Sequence, residues 1–277
     1  MIMENLNTPQ SAELRLTDTH CHPFDEAFDE DRTEVLERAR QAGVIRILCP
    51  AIDSTTHGKL LSLCETHPEL CTPMMGLHPT SVNDNPHWRE ELSAVERFIN
   101  EDAEKRFCAI GEIGLDLYWS RDWQKEQEEA LVFQIELALK HNLPVAIHTR
   151  NAWSEMIALL SRFKGRGLRG VMHAFNGTRQ EYDAINVCGE FMYGIGGVIT
   201  YKKSGLSETV AGLPLEKLVL ETDSPYLTPV PFRGKRNEPS YIRYICSAVA
   251  AAKGVSEKQV ADITTRNANN LFGTGED

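Results

Sequence analysis

The sequence has no C-x-x-C pair, no G-x-G-x-x-G, no excess of basic residues and no apolar run of membrane length. Its seven cysteines stand apart at 21, 49, 64, 71, 108, 188 and 246, which excludes a zinc ribbon or a thioredoxin-type motif. An odd, scattered set of thiols suits a reducing compartment, so free cysteines and a cytoplasmic location are expected. The opening MIMENLNTPQSAELRL is acidic and polar, unlike a signal peptide. No run approaches the roughly 18 residues of a membrane span, so no membrane partner is expected. Lys and Arg total 29 against 40 Asp and Glu, a formal charge of −11. That excludes a nucleic-acid binder relying on a broad basic surface. It leaves room for a nuclease, because two divalent cations bring about four positive charges to the place where a phosphate would sit.

What is present is a chain of 277 residues, 42% hydrophobic and 25% charged, enough for a folded domain with a sizeable core. Short apolar runs at 14–17, 44–49, 71–75, 107–110, 145–147, 170–172, 191–194 and 217–220 read as buried parallel strands. Amphipathic stretches separate them. Residues 31–42 put Val35, Leu36, Ala39 and Ala42 on one stripe, and 124–141 do the same with Leu131, Ile135, Ala138 and Leu139. Gly43 and Pro144 are the expected stops, and 238–272 reads as two closing helices. Eight strands alternating with helices predict an α/β fold, a (β/α)8 TIM barrel, with a doubly wound sheet as the rival. Residues 1–15 read as an N-terminal extension and 16–277 as a single barrel domain.

The chemistry-bearing residues fall at strand ends. Asp18-Thr19-His20-Cys21-His22 follows the first strand, and alternation puts His20 and His22 on one face. Taken alone the pair is either a metal site or two hydrogen-bonded histidines. Glu112 in Gly-Glu-Ile-Gly-Leu-Asp follows the fourth strand and His148 in Ile-His-Thr-Arg the fifth. His173 in Met-His-Ala-Phe follows the sixth, and Asp223 in Leu-Glu-Thr-Asp-Ser-Pro the eighth. Four imidazoles and two carboxylates brought to one rim of a barrel point to metal.

These motifs, with Gly76-Leu77-His78-Pro79 and Pro-Val-Pro-Phe-Arg-Gly-Lys-Arg-Asn-Glu-Pro, come in the order of a known family. From about Leu16 to Phe272 the chain resembles the TatD metal-dependent deoxyribonucleases, a branch of the amidohydrolase-like barrels. The resemblance implies two divalent ions: one on His20, His22 and Asp223, the other on His148 and His173, with Glu112 bridging. It implies Mg²⁺ or Mn²⁺ for activity; mixed nitrogen and oxygen ligation also admits Zn²⁺. It implies Asp223 as the base for an attacking water and a 3′→5′ exonuclease acting on single-stranded DNA or frayed ends. Many members carry His-Cys-Phe where this chain has His173-Ala174-Phe175; alternation puts Ala174 off the ligand face.

The substrate contacts stay open at this level. His78 either donates to a phosphate oxygen or is a hydrogen-bonded loop residue. Arg150 either clamps a phosphate or orients its loop through an ion pair. Arg233, Lys235 and Arg236 either hold phosphate or are solvated charges. Tyr118 and Trp119 either stack an unpaired base or pack their loop, and Trp123, opening a helix, suits packing. The rival activity is hydrolysis of a C–N or ester bond at the same site, as in amidohydrolases or a tRNA deacylase. Against it, Glu112 stands where amidases commonly carry a bridging carboxylated lysine. A third alternative is a metal-stabilised scaffold without catalysis, which an open ligand set disfavours.

Overall fold

The computed structural model describes residues 14–273, so the extension expected at 1–15 lies outside the described residues except for Leu14 and Arg15. The described strands are β1 (Leu16–Asp18), β2 (Val44–Cys49), β3 (Cys71–Pro73), β4 (Ile110–Asp116), β5 (Val145–Arg150), β6 (Arg169–Met172), β7 (Glu190–Ile195) and β8 (Leu218–Leu220). Helices α1 (Arg32–Gln41), α2 (Ser54–Thr66), α3 (Trp88–Asn100), α4 (Gln124–His141), α5 (Trp153–Ser161), α6 (Arg179–Asn186) and α7 (Leu206–Gly212) connect them. Helices α8 (Ile242–Lys253) and α9 (Glu257–Phe272) follow β8.

Every paired neighbour is parallel, in two runs, β1–β2–β3 and β4 through β8. A bridge between Met75 and Ile110 joins the runs on one side. On the other, Thr19 N–H donates to the Leu220 carbonyl at 3.0 Å. The sheet is thereby a closed (β/α)8 barrel, the architecture that the strand–helix alternation predicts.

Period-two alternation sorts the core into two layers. Leu48, Met74, Ala109, Ala146, Val171 and Val219 form an inner cluster. Their neighbours Ile47, Cys49, Val145, Ile147, Leu218 and Leu220 belong to the outer cluster shared with the helices. The inner cluster also takes in Ala268, Leu271 and Phe272 of α9. That helix lies at the N-terminal ends of the strands, where Asn267 Nδ2 donates to the carbonyls of Leu215 and Leu218. One end of the barrel is therefore filled by apolar side chains, and polar residues collect at the other.

Some boundaries differ from those the sequence suggests. The first strand runs 16–18 rather than 14–17, and the third ends at Pro73. The fourth begins at Ile110, three residues later than expected, and continues to Asp116; the fifth continues to Arg150. Glu112 and His148 thus sit within strands rather than after them. Their polar side chains look like loop chemistry, but the barrel interior satisfies them with one another. The αL residue Asn142 (φ +54), not Pro144, ends α4.

A buried histidine on α2 gives a test of the outer layer. His57 is buried, its ring 5.4 Å from that of Phe98, and burial lowers its pKa below the ordinary 6.5. A lowered folded value means the unfolded chain binds the proton more readily, so the associated stability is full above pH 6.5 and is lost as pH falls below it. The urea stability of the wild type relative to His57→Gln is expected to shrink between pH 7.5 and 5. A gap independent of pH would contradict the assignment.

Candidate metal centre

Backbone pairing at the barrel seam sets the geometry. Asp223 N–H donates to the His20 carbonyl at 2.9 Å, and His22 N–H to that of Ser224 at 2.8 Å. Asp18 reinforces the seam, accepting from Thr222 N–H at 2.9 Å and Thr222 Oγ1 at 2.6 Å. Burial pushes the Asp18 carboxyl up to about 8 even against these donors. The Asp-Thr-His-Cys-His and Glu-Thr-Asp-Ser motifs are therefore side by side.

Glu112 reaches the interior through an irregularity in β4. Ile110 pairs with Val145 and Ile113 with Ile147, so three steps of β4 match two of β5. Such a bulge re-aims a side chain. Beyond it Ile113, Leu115 and Leu117 face the outer core, while Glu112 and Asp116 face the cluster. Gly114 in between has φ +153, and a Cβ there would collide with the His148 carbonyl. The second glycine of Gly-Glu-Ile-Gly thus permits the close approach of β4 to β5.

The two oxygens of Glu112 face different imidazoles. Oε2 lies 3.1 Å from His20 Nε2 and 3.8 Å from His22 Nε2. Oε1 lies 2.9 Å from His148 Nδ1, 3.4 Å from His78 Nε2 and 3.7 Å from His173 Nε2. Asp223 Oδ1 lies 3.6 Å from both His22 and His173 Nε2 and 3.9 Å from His20 Nε2. Three trios each bring donor atoms within 4.8 Å of one another: His20–His22–Glu112, His20–His173–Asp223 and His78–Glu112–His148. The structure thus brings together the six residues singled out as ligands and adds His78. His173 stacks on His20 with ring centroids 3.3 Å apart, whereas its ring lies 6.3 Å from that of His148.

The electrostatics of the cluster fit divalent cations. Burial pushes Glu112 up, but His20, His78 and His173 outweigh it and hold the carboxyl well below its usual range. Asp223 is likewise lowered, burial being overcome by His173, His22 and His20. Burial and the His173 charge lower His20 to about 4. Burial also works against the His148 and His173 cations, yet carboxylates raise them to about 9 and about 10. Glu112 and Asp223, both held below their usual range, draw positive charge to the cluster, and the Asp116 and Glu221 carboxylates beside His148 and His173 add to that demand. A nitrogen-and-carboxylate donor set that requires cations suits a metal.

Three carboxylates here escaped the sequence reading. Asp116 Oδ2 lies 3.2 Å from His148 Nε2. Glu221 Oε1 accepts from Ala174 N–H at 2.6 Å and lies 3.0 Å from His173 Nδ1. Gly194 leaves the space for Glu221, since a Cβ there would strike its carboxylate. Asp18 holds the seam. The signal was alternation, which puts Asp18 in register with His20, Glu221 with Asp223, and Asp116 with the re-aimed Glu112. Ala174 contributes only backbone here.

A cavity of about 540 Å³ opens above the cluster, lined by His22, His78, Glu112, His148, His173 and Asp223 together with Arg150, Trp119, Tyr226 and others. His78 Nδ1 accepts from Thr80 N–H at 3.1 Å, so its proton sits on Nε2, the atom facing Glu112. Arg233 and Lys235 are not among the cavity-lining residues. The Arg233 guanidinium lies 4.4 Å over the Tyr201 ring, and neither residue has an ion-pair partner among the described residues. Arg236 departs from the expectation of a phosphate contact: its guanidinium is held by Asp31 at 2.7 and 2.8 Å and by the Ala27 carbonyl. Trp123 stands just before α4, makes no side-chain bond to the helix start and is half-buried, in keeping with packing.

A closed parallel barrel with histidines and carboxylates converging beyond the strand ends defines a metal-dependent hydrolase of the amidohydrolase-like type. The chain belongs to the TatD related DNase family, whose profile matches residues 17–273. It is 36% identical over 265 residues to the uncharacterized metal-dependent hydrolase YabD of Bacillus subtilis, covering 93% of this chain and 98% of that protein. It is 34% identical over 253 residues to the 3′-5′ ssDNA/RNA exonuclease TatD of Erwinia tasmaniensis, covering 88% and 95%. The crystal structure of the TatD homologue YjjV from Escherichia coli K12 superposes with a TM-score of 0.86 at 30% identity, covering 94% of this chain and 99% of that one. Among the described residues no helix is long and apolar enough to cross a membrane.

Proposed function

We propose that this hydrolase is a phosphodiesterase that removes nucleotides from the 3′ end of single-stranded or frayed DNA. The observation that carries the reading is the division of Glu112, with Oε2 toward His20 and His22 and Oε1 toward His148, His78 and His173, beneath a cavity with Arg150 at its wall. That division suits two cations: the family resemblance would put one on His20, His22 and Asp223 and the other on His148 and His173, with Glu112 between them, while here His173 stacks on His20 and lies 3.6 Å from Asp223. When bound, Mg²⁺ or Mn²⁺ at these positions supplies Lewis-acid charge to a phosphoryl oxygen and lowers the pKa of a water. Asp223, held ionised at the cavity floor, takes the proton of the attacking water. His78 donates from Nε2 to a phosphoryl oxygen, and the Arg150 guanidinium offsets phosphate charge. The relative from Erwinia tasmaniensis, named for 3′-5′ exonuclease action on single-stranded DNA and RNA, supports the direction and strand choice. Seven free, buried cysteines support a cytoplasmic location.

The test is cleavage of end-labelled single- and double-stranded DNA and RNA by metal-stripped protein reloaded with Mg²⁺, Mn²⁺ or Zn²⁺. A ladder shortening from the 3′ end of single strands is expected; no cleavage of any strand under full metal loading would overturn the reading. Metal analysis after Mn²⁺ saturation is expected to find two ions per chain, and a single ion would remove the bridging role of Glu112.

Binding is expected to depend only weakly on salt. With a net charge of −11 and Arg236 tied to Asp31, the cations that remain for phosphate are Arg150, whose Nη1 lies 4.0 Å from Asp116 Oδ2, and Arg233 and Lys235, which have no ion-pair partner among the described residues. Three neutralised phosphates give a slope of log K against log salt of about −2 for a single strand. Fluorescence anisotropy across a salt series measures it. A slope beyond about −4 that survives chelation would reveal an extended basic track instead.

A further inference from the structure

Two large aromatic side chains at the cavity mouth have no part in the cluster. Trp119 is 69% exposed and Tyr118 51% exposed, whereas Trp88 is buried and Trp123, in the same loop, is half-buried. An indole so exposed contributes little to packing. The Tyr118 and Trp119 rings meet edge to face at 5.0 Å. The Arg150 guanidinium lies over Tyr118 with Cζ 3.8 Å from the ring centroid, and 5.5 Å from that of Trp119. Tyr118 therefore covers one face of the guanidinium. Trp119 and Arg150 both line the cavity, and Tyr118 stands behind them.

The assembly is anchored to the strands that carry the cluster. Tyr118 N–H donates to Asp116 Oδ1 at 3.0 Å, and Leu117 N–H to the Arg150 carbonyl at 2.9 Å. Asp116 is also the partner of His148. Arg150 and Glu112 thus stand at a separation fixed by β4 and β5, not by a loose loop.

We propose that Trp119 and the outer face of the Arg150 guanidinium, backed by Tyr118, form a subsite for an unpaired nucleobase of the nucleotide next to the scissile phosphate. The inference rests on the phosphodiesterase reading. Flat π surfaces and a stacked guanidinium accept any base by its face, so the subsite selects for an accessible base rather than for sequence. It gives Arg150 a stacking role alongside its charge.

Calorimetric titration of Mn²⁺-saturated protein with thymidine 5′-monophosphate and with ribose 5-phosphate separates the base from the phosphate. Wild-type protein is expected to bind the nucleotide at least about tenfold more tightly, the usual scale for stacking one base. Trp119→Ala is expected to abolish that preference and Trp119→Phe to keep most of it. Saturable quenching of tryptophan fluorescence by the nucleotide is expected in the wild type and is expected to be lost in Trp119→Phe. That measurement decides the matter should the alanine variant fail to fold. Equal affinity of the wild type for both ligands, or an undiminished preference in Trp119→Ala, would overturn the proposal. A wild type that shows the preference but cleaves no strand would keep the base subsite and remove the phosphodiesterase reading.

Discussion

Asp223→Asn protein is expected to fold and, compared at full metal loading, to hydrolyse phosphodiesters at least about 10²-fold more slowly, the scale set by losing a general base. Asp223 sits in the left-handed region at φ +57, tied by its N–H to His20 across the seam, so an amide of the same shape keeps the local backbone. What the amide lacks is basicity. The surrounding imidazoles hold the carboxyl below its usual range despite burial, so it is ionised at neutral pH and free to receive a proton. Turnover and metal content measured on the same sample separate catalysis from ligation. Near-normal turnover at full loading would remove Asp223 as the base.

Glu112→Gln is expected to have the largest effect on the metal-free protein, a loss of about 3–5 kcal/mol, the range for removing one partner of a buried ion pair. Glu112 is buried and faces His20, His22, His78, His148 and His173. His148 and His173 are raised above the ordinary 6.5, to about 9 and about 10. A raised imidazole contributes stability that is full below pH 6.5 and is lost as pH rises through its folded value. The lowered Glu112 contributes stability present above its ordinary 4.5 and lost as pH falls below it. The gap between wild type and variant is therefore widest from about pH 5 to 6.5 and narrows as pH rises from there through about 9 to 10. Urea denaturation of chelator-treated protein at pH 7 and pH 10 measures it. Equal stability at pH 7 would mean that the cluster is neutral without metal.

The barrel and its ligand residues were legible because period and chemistry coincide. Val145, Ile147 and Met172 carry the alternation, and His148 and His173 continue it past the apolar stretch on the inner-facing positions. Glu112 was legible as a residue but not as a position. Simple alternation from Ala109 puts Gly111 inward and Glu112 outward, and only the register shift after Ile110 reverses this. Bulges depend on the partner strand, which local sequence does not contain. Asp116, Glu221 and Asp18 were visible in their motifs, but their roles are contacts with residues 32, 48 and 204 positions away. The fate of Arg236 was hidden for the same reason, since Asp31 lies 205 residues earlier.

The plug at the base of the barrel bears on how the chain is made. Ala268, Leu271 and Phe272 complete the inner cluster, and β8 meets the start of the barrel at Thr19. A nascent chain emerging from its N-terminus has β1 and β2 early, but an unsealed interior until α9 has left the ribosome. Domains generally fold as units during synthesis. Here the unit is nearly the whole described chain, so closure comes after translation of its last helix. Until then Leu48, Met74 and Val171 face an open lumen. The interval between synthesis and sealing is when this apolar surface leaves the chain most open to self-association.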